Sequence, residues 1–155
     1  MRHEFFIERA RLGNPFVARL MAGDDLLQRM EEIAALKEAR RLVVLSAVGA
    51  LCNVKLRNYK EGATLPVSSE SYMVAEAPGP FKLISLEGNV FPEKGKPTPH
   101  LHVMLGTSNG VVIGGHLVAA QVFTSVEMVC AEIERSWSVR TLDENTGQPE
   151  LVIAE

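Results

Sequence analysis

Most of the 155-residue chain is written as apolar runs of strand length separated by short polar breaks, with one stretch of helical period. Residues 16–20 form a short strand after the Gly13-Asn14-Pro15 break. Asp24 or Asp25 then caps a helix in which Leu26, Met30 and Ile33, with Leu27 and Ala34 alongside, recur three and four residues apart. Asp25 followed by Gln28 has the form of a capping box. Gln28, Arg29, Glu31, Glu32, Lys37 and Glu38 fall on the solvated face. Residues 42–51 are almost unbroken apolar sequence, as expected of an interior strand covered on both faces. Gly49 marks a bend or bulge, after which residues 52–59 alternate like a half-exposed strand.

The polar stretch 60–69, with Gly62 and Pro66, reads as a loop. Residues 71–76 and 81–91 are further strands, Gly88 being a bulge position in the second. Residues 92–99 carry Pro92, Pro97 and Pro99 and read as a loop. The run 117–133 fits helix or strand by period alone, but Val122, Phe123, Thr124, Val126, Val129 and Ile133 favour strand. Residues 136–142 make a last short strand before the turn at 143–147. The pattern is one α+β domain with a mostly antiparallel sheet. Residues 1–15 are an N-terminal extension, 16–143 the domain and 144–155 a C-terminal tail.

Three of the four histidines, His100, His102 and His116, fall within eighteen residues; the fourth is His3. His100 and His102 are two apart in an apolar run, so on a strand they share one face. Ser108-Asn109-Gly110 turns the chain into a return strand. A three-residue loop, with Gly110 in the left-handed position, places His102 opposite His116 and all three imidazoles on one face. A two-residue Asn109-Gly110 loop would send His116 to the other face, and a bulge at Gly114-Gly115 would also change the count. The three-residue loop is the preferred reading. Three converging imidazoles suit a divalent transition metal, zinc first, with one position left for water or substrate. Copper, nickel and iron accept the same ligands.

Composition narrows the function. Sixteen Lys and Arg against nineteen Asp and Glu give a formal charge of −3, which offers no electrostatic footprint for nucleic acid. Cys52 and Cys130 have no metal or redox spacing and read as buried free thiols of a reducing compartment. The first nine residues carry acids and lack the apolar segment of a secretory signal, and no run approaches the roughly 20 apolar residues of a bilayer span. A cytoplasmic location follows as an expectation.

The Gly23-Asp24-Asp25-Leu26 helix start, the 46–51 segment with Gly49, and "FKLISLEG" at 81–88 now combine with "HLHVMLG", the glycine-containing turn, "GGHL" at 114–117 and the 124–129 segment with Glu127. Together they resemble the PPC domain shared by plants and prokaryotes, over roughly residues 16 to 143. The resemblance implies a seven-stranded, mainly antiparallel sheet with one flanking helix, assembled as a homotrimer. It also implies metal binding by His100, His102 and His116. Plant members carry a separate AT hook for A·T-rich DNA, whose Arg-Gly-Arg-Pro core is absent from these 155 residues. A DNA-associated regulatory role is therefore carried by the family likeness alone.

Two functions are expected from this reading. One is a homotrimeric module, regulatory or DNA-associated, whose metal is structural or sensory. The other is a metal-dependent hydrolase or lyase using a zinc-bound water at the same site, with Glu87 or Glu127 as the available carboxylate and Arg57 for an anionic substrate. A cupin reading fails because Leu105 and Gly106 stand where that family places a glutamate.

Overall fold

Capping chemistry fixes where the helix begins. In the computed structural model, which describes residues 5 and 7–154, Asp25 accepts from the Gln28 backbone N–H at 3.0 Å. The Gln28 side chain turns to Glu32 at 2.9 Å, so only half of the expected capping box forms. His3 and the other residues of 1–4, at the start of the N-terminal extension, lie outside the described residues.

The elements in order are β1 (Arg11–Leu12), β2 (Phe16–Met21), α1 (Leu26–Ala35), β3 (Leu42–Tyr59), β4 (Tyr72–Ala77), β5 (Phe81–Glu93), β6 (Lys96–Gly106), β7 (Val112–Glu134), β8 (Ser138–Asp143) and β9 (Gln148–Ile153). The architecture is α+β, a sheet of nine strands with one α-helix. The two strands beyond the expected seven are not hard to place. β1 is a two-residue pairing with β7, and β9 lies in the segment read as a tail. The sheet is mixed: β5 and β8 run parallel where Glu93 meets Arg140.

β3 pairs with β7 over most of its length and also with β5. With β6 between β7 and β5, the four strands close on one another around the core. Leu51, Val54, Leu101, Leu105, Leu117, Val122 and Val126 fill it, and α1 contributes Leu26, Met30 and Ala34. Register shifts between Val44 and Ser46, Gly49 and Leu51, and Cys52 and Lys55 let one long strand bend far enough to serve both neighbours.

Three local expectations are corrected. The apolar run of β3 is not covered on both faces within the chain, because Leu45 is 47% and Val48 57% exposed. Residues 92–99 are not a loop but the closing end of a hairpin, with Pro92 opposite Pro97 and Val90 opposite Pro99. The prolines fit because β7 pairs with β6 only from His102 onward, so this part of β6 is an edge that can spare N–H groups. Gly88 is not the bulge; the β5–β6 shift falls between Leu83 and Ser85. Gly88 is instead a point of close approach: at φ +141° a Cβ there would lie 2.0 Å from the His100 carbonyl oxygen.

Candidate metal centre

β6 and β7 together set the histidine geometry. Thr107 N–H donates to the Val111 carbonyl at 2.9 Å, and Gly110 N–H donates back to Thr107 at 3.0 Å. Gly110 takes φ +83°, the left-handed conformation a three-residue loop needs at that position. The register then runs without interruption from Gly106–Val112 to His102–His116. Gly114 and Gly115 do not bulge the β6 pairing. Gly115, at φ +152°, makes room instead for Asn58, whose amide donates to the Gly114 carbonyl at 3.0 Å.

The three imidazoles meet on one face. Ring centroids are 5.2 Å apart for His100–His102, 5.1 Å for His100–His116 and 5.6 Å for His102–His116, all edge to face. One ring nitrogen from each lies within 4.8 Å of the other two. His100 Nε2 and His102 Nε2 are 3.3 Å apart. Two nitrogens bound tetrahedrally to zinc at about 2.0–2.1 Å stand about 3.3–3.4 Å apart. One pair therefore already has ligand spacing, and the third ring offers a nitrogen within 4.8 Å of both. The donor set and its spacing fit a divalent transition metal.

Electrostatics keeps two of the three rings, His100 and His116, in ligating form. Burial pushes the His100 imidazole down to about 4, helped by the charge of Arg140 and by His102 and Arg57. His116 is also pushed down to about 4, first by burial and then by Arg57 and the neighbouring imidazoles. Both are neutral at pH 7, the form in which imidazole binds metal.

The surroundings combine residues that the sequence marks with residues that it does not. Arg57 stands directly across β3–β7 from His116. Asn89 stands across β5–β6 from His100, and it accepts from Arg140 Nη2 at 2.8 Å. Arg57 and Arg140, with Tyr72 and the 148–150 segment of β9, border a cavity of about 460 Å³ against the histidines. Asn89 could have been found from its two-residue offset to Glu87 on the same strand. Arg140 and β9 could not, because only the long-range β5–β8 contact brings them here.

Glu87 sits opposite His102 in register but accepts from the Ser85 hydroxyl at 3.2 Å and does not line the cavity. Glu127 is exposed, far along β7 between Arg19 and Val48. Cys130 is buried, and burial pushes its thiol up to about 11; Cys52 is half-buried with its Sγ 3.8 Å from Gln121 Oε1. Neither thiol reaches the site.

Known proteins share this fold. The chain is 30% identical to a metal-containing protein of Archaeoglobus fulgidus, covering 96% of this chain and 99% of that one at a TM-score of 0.82. A plant- and prokaryote-conserved protein of Pyrococcus horikoshii gives 27% identity, 97% and 99% coverage and a TM-score of 0.83. The bifunctional protein GlmU of a Synechococcus strain is 32% identical over 136 residues, which is 87% of this chain. The chain spans about a fifth of the length of such curated relatives. Among the described residues, no helix is long and apolar enough to cross a membrane. The model of the Plants and Prokaryotes Conserved (PCC) domain matches residues 7–134, and the chain belongs to that family.

Proposed function

We propose that the chain is a homotrimeric metal-binding module in which His100, His102 and His116 hold one divalent transition metal, zinc foremost. The observation that carries this is the 3.3 Å spacing of two imidazole nitrogens with the third ring within reach. The metal-containing relative supports it. The trimer reading draws on the family likeness and on exposed apolar side chains of β2 and β3, Val17, Leu45 and Val48, which assembly would cover. Its setting is cytoplasmic. The regulatory, DNA-associated role rests on family membership, and the charge of −3 points to DNA association through a partner rather than by this chain unaided.

A second reading, a metal-dependent hydrolase or lyase, is favoured by the cavity that opens against the three rings. A metal bound there would supply Lewis acidity and an activated water.

Zinc titration of metal-free protein, purified without a histidine tag, tests the proposal. The expected result is one zinc per chain, on an assembly sedimenting at three times the 17.0 kDa chain mass. Because His100 and His116 sit near 4 instead of the ordinary 6.5, protons compete at these rings only as pH falls toward 4. The unfolded chain takes up those protons first, so metal-free protein loses stability as pH drops from about 6.5 to about 4. Zinc uptake at those two rings should change little between pH 7.5 and 6. No uptake at pH 7.5, or a 17.0 kDa species throughout, would count against the module.

A further inference from the structure

The cavity beside the histidines holds buried polar atoms that have no hydrogen-bond partner among the described residues. Arg140 is only 9% exposed, and its Nε has no hydrogen-bond partner. Arg57 Nε and the Tyr72 hydroxyl are likewise buried and unpartnered. Among the described residues, neither arginine forms an ion pair within 4.0 Å. Buried donors without partners are rare in folded proteins, and an unpaired buried guanidinium carries a large desolvation cost. Three such groups around one cavity point to a missing acceptor.

We infer that Arg57, Arg140 and Tyr72 form the binding site of a small organic anion, a carboxylate or phosphate, held against the histidine cluster. The two guanidiniums are held in place by different means. The Arg57 guanidinium carbon lies 4.4 Å over the Tyr72 ring, which in turn stacks on Tyr59 with centroids 5.0 Å apart. Arg140 is held through Nη2 by Asn89, which leaves Nε free to donate. A planar guanidinium fork is well matched to carboxylate and phosphate oxygens.

Size and charge narrow the ligand. A cavity of about 460 Å³ is in the range that encloses a small molecule. Glu93 and Glu150 also line it, offsetting the two arginines. A single anionic group near the rings fits that balance; a run of phosphodiesters, which would have to pass both carboxylates, does not. The inference rests on the metal reading for the ligand's second anchor, whereas the arginine anchor stands by itself.

The test is calorimetric titration of acetate and, separately, methylphosphonate into zinc-loaded protein. One of the two should bind saturably, and which one does distinguishes carboxylate from phosphoryl. Arg57→Gln and Arg140→Gln should each weaken that binding at least tenfold while zinc stoichiometry stays at one per chain. Arg57 is half-buried, so its variant gives the answer even if Arg140→Gln fails to fold. Binding of neither anion, or equal binding by wild type and Arg57→Gln, overturns the inference. If the wild type takes up no zinc, the metal reading has failed separately, and the same titration of metal-free protein decides. Anion binding lost in Arg57→Gln then upholds the arginine site, and no binding refutes it.

Discussion

His102→Ala should lower zinc affinity about a thousandfold while leaving the fold in place. Structural zinc in small sites is worth roughly 10–16 kcal/mol in binding. Losing one of three protein ligands removes about a third of that, or roughly 4 kcal/mol, which is about three orders of magnitude. His102 is the ring to remove because it is exposed, so truncation opens no cavity in the core. It also faces both partners, 3.3 Å from His100 Nε2 and opposite His116 in register. Competition against a chelator of known affinity reads the loss, and thermal unfolding of the metal-free forms checks the fold. An affinity within threefold of wild type would mean that zinc, if bound, is held elsewhere.

Gly88→Ala should destabilise the protein by about 3 kcal/mol and weaken zinc binding with it. The added Cβ would lie 2.0 Å from the His100 carbonyl oxygen and 3.0 Å from Leu101 Cα, and both are backbone atoms that cannot rotate away. The φ of +141° adds strain for any residue with a side chain. Strain and overpacking each cost about 1–3 kcal/mol, a large part of the ~5–15 kcal/mol that holds a domain folded. For a chain of this length that lowers the melting temperature by roughly 6–12 °C. Relief of the clash must move β6 at the residue carrying the first imidazole, so the metal site is disturbed together with stability. Gly95→Ala is the control: its φ of +79° is also left-handed, but a Cβ there meets nothing within 4 Å. Equal melting temperatures for the two variants would show that the approach at Gly88 is not tight.

Much of this site is legible in the sequence because it is made locally. The His-X-His spacing fixes a common face by strand period, and Ser108-Asn109-Gly110 fixes the register that brings in His116. The helix is legible for the same reason, through Asp25 and the Leu26, Met30, Ala34 stripe. Local patterns failed where a strand was built from unpromising residues. Pro92, Pro97 and Pro99 signal a loop to any local reading, yet Lys94 and Gly95 turn the chain with both φ values positive and the prolines sit on an edge.

The cavity was harder still. Arg57 was visible as an alternating strand residue, but its significance depends on Tyr72, which only β3–β4 pairing brings beneath it. Arg140 and the 148–150 segment reach the histidines through a parallel contact between β5 and β8 that no hydrophobic period records. The Leu45 and Val48 face of β3 misled in a different way: a fully apolar strand says that both faces are to be covered, not that one chain does the covering.

The most direct measurement of the central claim is X-ray absorption at the zinc edge on loaded wild-type protein. Three imidazole nitrogens at about 2.0–2.1 Å, reduced to two in His102→Ala, is the result this account predicts. A shell of oxygen scatterers unchanged by that substitution would contradict it.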